Sequence, residues 1–237
     1  MFDEKIRDRL MGVSVATVAT ALFKRGLRNQ VIQGVRPLGF KGRNMVGPAY
    51  TLRYIPARED RNGIEVFRNP DHPQRVAIES CPAGHVMVMD SRKDARAASA
   101  GDILITRLMV RGGAGVVSDG GFRDAATIAE LEIPAYHSRP SSPTNLTLHE
   151  AIELNGPIGC GDVAVFPGDV ILGDADNVIV IPSGIADEVS AEAVEMTVYE
   201  DFVVERVKAG ETIIGLYPRT KDEHLATFDA WRKENGR

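Results

Sequence analysis

Cysteine is scarce in this chain of 237 residues: Cys81 and Cys160 are the only two, far apart and not in CxxC spacing. Such a pair speaks against a disulfide framework or a zinc site and for a reducing compartment with two free thiols. Basic runs are lacking too. The 28 Lys and Arg are dispersed and outnumbered by 33 Asp and Glu, for a net charge of −5, so the basic stripe that nucleic acid calls for is missing. No apolar run approaches the ~20 residues needed to span a bilayer, and the opening MFDEKIRDRL is charged at once, so the chain reads as cytoplasmic, with no membrane partner. Repeats and low-complexity segments are absent. What is present, 43% hydrophobic and 26% charged residues, is ordinary globular composition, enough for one main domain with an added layer or tail.

Periodicity orders the chain as an α/β protein. Ile6, Leu10, Val13, Val15, Val18 and Leu22 recur at helical spacing, which predicts one or two helices within residues 1–30, with Ser14 as N-cap and Gly26 as the stop. MVGPAYTLRYIPA has strand composition, the polar stretch Arg58 to Arg75 reads as an exposed loop, and GHVMVMD reads as a buried strand ending in Asp90. A helix from about Gly101 to Arg111 and a strand GVVSDG follow, a parallel crossover unit. Further on, IPAYH is a strand, and DVAVFPGDVILGDADNVIVIP is a strand pair around the turn formers Asp174 to Asn177. Ile185, Val189, Ala193, Met196, Tyr199, Val203 and Val207 predict a long helix from about Ser183 to Gly210, and LATFDAWRKENGR a last short one. Residues 1–237 are therefore expected to form a single domain, with 183–237 as a C-terminal helical extension.

Core packing does not account for three residues in GDILITRLMVRGGAGVVSDGGFRD: Asp102, Arg123 and Asp124. The helix beginning at Asp102 directs its first free amides, around Ile103 and Leu104, outward as an anion site, and Gly101 lets a ligand approach. Gly120 and Gly121 permit a sharp turn that presents Arg123 and Asp124 at the strand's C-terminal edge, where open α/β sheets bind ligands. An arginine fork suits a carboxylate or keto oxygen, and an adjacent carboxylate suits a hard cation. Spacing alone leaves bland roles open: Asp102 as N-cap, Asp124 as cap of the helix AATIAEL, Arg123 as a surface residue. Asp169, Asp174 and Asp176 read as turn residues rather than a calcium site, and His137 and His149 as structural or exposed.

The spacing Asp102, twenty residues, Arg123-Asp124, set within RGGAGVVSDGGFRD, resembles the RraA-like family, which includes class II 4-hydroxy-4-methyl-2-oxoglutarate/4-carboxy-4-hydroxy-2-oxoadipate aldolases. The likeness extends from SVATVATAL through GPAYTLR and GHVMVMD to GDVILGDADNVIVIP and the long helix. It implies a swivelling β/β/α fold, a homotrimer or hexamer built as a dimer of trimers, and sites shared between subunits. It further implies that Asp124 holds Mg²⁺ or Mn²⁺, that Arg123 binds a small 2-oxo acid and steadies its enolate, and that Asp102 orders water at the metal. The amides of Ile103 and Leu104, with Gly101 beside them, would take the substrate carboxylate. A glutamate from the neighbouring subunit's long helix is expected near the metal waters, best matched by Glu200, with Glu205 as the other choice. The implied reaction is cleavage of a 4-hydroxy-2-oxo acid to pyruvate and a carbonyl product, with oxaloacetate decarboxylation alongside. A non-catalytic regulator of ribonuclease E-type activity and a sugar-acid lyase or dehydratase are the alternatives. Departures from the family are the long stretch Arg58 to Arg75, His85 where Asp is common, and the added charges Arg107 and Arg111.

Overall fold

A computed structural model describes residues 2–220 and 223–237; Met1, Lys221 and Asp222 lie outside the described residues. Two helices open the chain, α1 (Glu4–Met11) and α2 (Val15–Lys24). Ser14 accepts from the Thr17 amide at 3.0 Å as the N-cap of α2, an interaction worth about 1 kcal/mol, and Gly26 follows α2 in the left-handed region. Then come β1 (Arg36–Pro37), β2 (Met45–Pro56), helix α3 (Pro73–Ser80), β3 (Val86–Asp90), β4 (Ala98–Ala100) and helix α4 (Asp102–Val110). They are followed by β5 (Gly115–Ser118), β6 (Gly121–Phe122), α5 (Ala125–Glu130), β7 (Ala135–His137), β8 (Arg139–Pro140) and β9 (His149–Leu154). The chain closes with β10 (Ile158–Cys160), β11 (Val163–Val165), β12 (Val170–Gly173), β13 (Val178–Ile181), the long α6 (Ala186–Lys208) and α7 (Glu223–Glu234).

Eight strands make the main sheet, in the order β1-β7-β5-β3-β2-β12-β13, with β9 pairing the far half of β2. The centre is parallel, as expected of crossover units, and β12 and β13 form the hairpin around Asp174. Period-two alternation sorts the side chains. Val86 and Val88 of β3, with Ile171, Val178 and Val180, point into the curl of the sheet, where β10 and β11 close it. Met87 and Met89 point the other way, onto Ile78, Ile105, Leu108 and Ile128 of α3, α4 and α5. Val170, Leu172, Ile179 and Ile181 meet α1, α2 and the first half of α6. The architecture is thus α/β: a curled mixed sheet, N-terminal helices and a long C-terminal helix. The second half of α6 packs Phe202 against Phe228 and Trp231 of α7, so Trp231 finds its partners within its own chain.

Two local expectations are corrected. The stretch Arg58 to Arg75 is not simply an exposed loop: residues Ile64–Arg68 form a 3-10 turn and α3 already begins at Pro73. Proline at the first helical position has its φ preset, and Gln74, Ala77 and Ile78 bury the face that follows. The strand GVVSDG also does not deliver Arg123 directly through a tight glycine turn. At Gly120 the chain leaves the main sheet, and β6 joins a second, three-stranded parallel sheet in the order β4-β6-β8. A side chain at Gly120 would lie 2.7 Å from Ser91 Cβ and 2.8 Å from Ser99 Oγ, so only glycine lets the chain cross there.

His137 closes β7 inside the core, stacked on Phe122 at 5.5 Å with Nδ1 unpartnered. Burial pushes its pKa down to about 4, so the neutral ring is the folded form. The unfolded chain binds the proton more readily, so this stability is complete above pH ~6.5 and is lost as pH falls through about 4, by roughly 3 kcal/mol. Urea midpoints measured across that window should fall with pH in the native protein and fall less in His137→Gln. His149 and His72, both lowered by burial, act in the same direction.

Candidate active site

The small sheet carries the residues of interest. Strand β4 runs through Gly101 into α4, so Asp102 is the first helical residue and Gly101, not Asp102, occupies the N-cap position. Beside it, Arg123 directly follows β6, and its amide donates to Ala100 O at 2.9 Å. Asp124 follows in the left-handed region at φ 54°, a conformation uncommon for a residue with a side chain. It stands at the N-cap of α5 yet makes no side-chain cap hydrogen bond. The carboxylate instead turns toward Gly101, where a Cβ would lie 3.3 Å from Asp124 Oδ2. Neither Arg123 nor Asp124 has a side-chain hydrogen bond or ion pair among the described residues, and both are exposed.

A cleft of about 200 Å³ joins these groups. Gly101, Asp102, Ile103, Leu104, Arg123 and Asp124 all line it. Its other walls escaped the sequence reading: Phe67, Gln74 and Arg75 from the segment before and within α3, Ala98 and Ala100 of β4, and Thr144 and Asn145 from the loop before β9. A proline opening a helix at His72-Pro73, with apolar Ala77 and Ile78 following, was the available signal that this segment folds against the body. The Gln74 amide donates to Ser99 O at 2.7 Å and Tyr54 OH donates to the same carbonyl at 2.8 Å, which anchors β4 from behind. Asp119 is a further omission. Buried, it accepts from the amides of Ser91 (2.7 Å), Lys93 (3.1 Å) and Gly161 (3.1 Å), tying three loops under the point where the chain changes sheets.

The anion-binding amides are only partly free. Ile103 N donates to Asp102 Oδ1 at 2.7 Å, so the carboxylate at the start of the helix folds back over the first amide. The extra charges Arg107 and Arg111 do not reach the cleft. Arg107 forks onto Glu79 with both contacts at 2.9 Å, and Arg111 approaches the same carboxylate at 3.5 Å. His85 Nδ1 lies 3.3 Å from Ala83 O, a local loop contact. Asp169 and Asp174 accept backbone amides in their turns, Asp174 Oδ2 also taking Val15 N at 2.8 Å.

Glu200 is not in the cleft of its own chain. It lines a separate hollow of about 550 Å³ with Thr20, Lys24, Tyr199 and Tyr217, and accepts from Thr17 Oγ1 at 2.8 Å and Tyr217 OH at 3.3 Å. Glu205 accepts from Trp231 Nε1 at 2.7 Å. His137 and His149 are buried and line neither the cleft nor this hollow.

Fold and cleft together describe a curled-sheet α/β protein with a small cleft beside a short appended sheet, lined by two carboxylates and two arginines among apolar walls. Residues 15–180 match the RraA-like family, described as Aldolase/RraA, and the chain belongs to that family. A Halalkalibacterium halodurans protein described as an inferred 4-hydroxy-4-methyl-2-oxoglutarate aldolase is 32% identical over 168 residues, covering 71% of this chain and 73% of the relative. Streptomyces coelicolor RraAS2, described as an unusual member of the RraA family of RNase ES inhibitors, superposes with a TM-score of 0.75 at 28% identity, over 85% of this chain and 96% of that one. A Pseudomonas syringae protein of unassigned function shares the fold, with a TM-score of 0.77 at 21% identity, over 91% of this chain and 98% of its own. The family match contains Asp102, Arg123 and Asp124 and ends before α6 and Glu200.

Proposed function

We propose that the protein is a divalent-metal-dependent lyase, of the class II aldolase type, that cleaves a 4-hydroxy-2-oxo acid to pyruvate and a second carbonyl compound and also decarboxylates oxaloacetate. The observation that carries this reading is the adjacent pair Arg123 and Asp124, unpartnered, facing Asp102 across Gly101 in one cleft. The described relative's aldolase name supports it.

The donor set suits a hard cation. Asp124 offers a free carboxylate, Asp102 a second one with Oδ2 unengaged, and no group of three or more His, Cys, Asp or Glu side chains gathers among the described residues. One or two carboxylates completed by water and substrate is the usual way of holding Mg²⁺, and Mn²⁺ accepts the same oxygens. When bound, the cation supplies Lewis-acid polarisation of the 2-oxo group. The chain's own residues do the rest. Arg123 holds the oxo-acid head in its planar fork and stabilises the charge that gathers on the C2 oxygen as the C3–C4 bond breaks. The C4 hydroxyl proton leaves through water toward Asp102, C4 becomes the new carbonyl, and the C3–C4 electron pair passes into the pyruvate enolate, which takes a proton at C3. For Ile103 to donate to the substrate carboxylate, Asp102 must release that amide, which frees the same carboxylate to receive the proton.

Subunits assemble, in this reading, as a homotrimer or a dimer of trimers, with Glu200 offered to the neighbour's cleft. Two apolar residues bare on the outer face of α4 support a covering surface there: Ile103 is 80% and Val110 67% exposed. A pyruvate-coupled assay over a panel of 4-hydroxy-2-oxo acids and oxaloacetate, with Mg²⁺ or Mn²⁺, tests the activity. Folded, metal-supplied protein releasing no pyruvate from any of them would favour the second reading, a non-catalytic regulator, for which the likeness to RraAS2 speaks. Replacing the fork by a point charge, Arg123→Lys should cost at least ~2 kcal/mol in kcat/KM, about thirtyfold. Native-like rates in Arg123→Lys and Arg123→Ala would return Arg123 to the role of a surface residue.

A further inference from the structure

We infer that Arg75 is a specificity-determining residue of this cleft, placed to receive a second carboxylate on the part of the substrate beyond the bond that breaks. The inference rests on the oxo-acid reading of the site and deepens it. It grows from the segment Arg58 to Arg75, whose end folds into the cleft wall.

Arg75 stands in the first turn of α3, half-buried, and lines the same cleft as Arg123. Its guanidinium lies over the Phe67 ring, 4.7 Å from the centroid, and its Nε is buried without a hydrogen-bond partner. Arg75 has no ion-pair partner among the described residues, whereas Arg107 on the facing helix forks onto Glu79. Stacking on an aromatic face fixes the plane of the guanidinium and leaves its edge, the side that matches a carboxylate, available.

Arg75 and Arg123 both line the cleft, so it holds two guanidinium groups. Arg123 and Asp124 are assigned to the oxo-acid head, which leaves Arg75 for the distal group.

Two probes of equal chain length separate the contributions: 2-oxoglutarate, with a distal carboxylate, and 2-oxopentanoate, with a methyl in its place. Calorimetric titration of the Mg²⁺-supplied protein should show 2-oxoglutarate binding at least about tenfold tighter. In Arg75→Gln, with circular dichroism matching the native protein, the ratio should fall below about threefold, and Arg75→Lys should lie between. A ratio preserved in Arg75→Gln, or absent from the native protein while Arg123→Ala still weakens both ligands, overturns the role of Arg75 and leaves the oxo-acid site standing. Binding of neither ligand overturns the oxo-acid reading and this inference with it.

Discussion

Asp124→Ala is expected to abolish pyruvate release, by well over about 10²-fold, while the protein stays folded. Loss of a residue that merely supports a metal ligand already costs about 10–100-fold in metal affinity, and Asp124 is the proposed ligand itself. Its side chain makes no contact that the fold depends on: no cap bond to α5 and no ion pair among the described residues. The left-handed backbone at φ 54° calls for a control, because alanine tolerates it poorly. Asparagine sits there more readily, so Asp124→Asn separates the lost charge from the strained backbone, and it too should be inactive. Manganese binding followed by electron paramagnetic resonance should disappear in both variants. In the native protein chelator should remove activity and Mg²⁺ or Mn²⁺ restore it; normal turnover in protein verified as metal-free would end the class II mechanism.

Mixing two inactive proteins should produce an active one. Glu200 lies in a hollow separate from the cleft of its own chain, and the proposal gives it to the neighbour's site. Asp124→Ala and Glu200→Ala should each be severely impaired alone, since every site then lacks either the metal ligand or the neighbour's glutamate. Unfolded and refolded together, they form mixed closed rings in which a Glu200→Ala chain keeps Asp124 and borrows Glu200 from an Asp124→Ala neighbour. Activity reappears at those pairings. Verified mixed oligomers without recovery would place Glu200 in service to its own chain, where it holds Thr17 and Tyr217, or shift the role to Glu205, on which the same experiment can be run.

Periodic signals were legible because they report directly on burial. Val86, Met87, Val88 and Met89 could only be a strand covered on both faces, and the caps Ser14 and Gly26 bracket α2 by local hydrogen bonding and backbone preference alone. The grouping of Asp102 with Arg123 and Asp124 was legible too, through the family resemblance that their motif carries. Nonlocal features were not. Nothing in GVVSDGGF announces that Gly120 is where the chain changes sheets, because the reason lies in Ser91 and Ser99, some twenty to thirty residues upstream. The same holds for Arg75: an arginine in a polar run looks solvated, and its place becomes visible only once Phe67 is seen beneath it. Neutralisation of Arg107 and Arg111 by Glu79 depends equally on α3 lying against α4.

The cleft hangs on the shorter of two ladders. Strands β4, β6 and β8 have three, two and two residues, and one of the last pair is Pro140, which has no amide to donate. The eight-stranded sheet beneath is several times more extensively paired and buried on both faces. Local opening costs least where few ladder bonds must break, so this short sheet is expected to open before the eight-stranded one, even with Ala100 and Phe122 seated in the core beside Met87 and Met89. Warming is therefore expected to open the cleft before it melts the body. Amide protons at Arg123 and Ser141, which donate to Ala100 O and Phe122 O, will exchange with solvent while those of Val86 to Asp90 are still protected, and the heat tolerance of the activity will be set by seven residues of sheet rather than by the core.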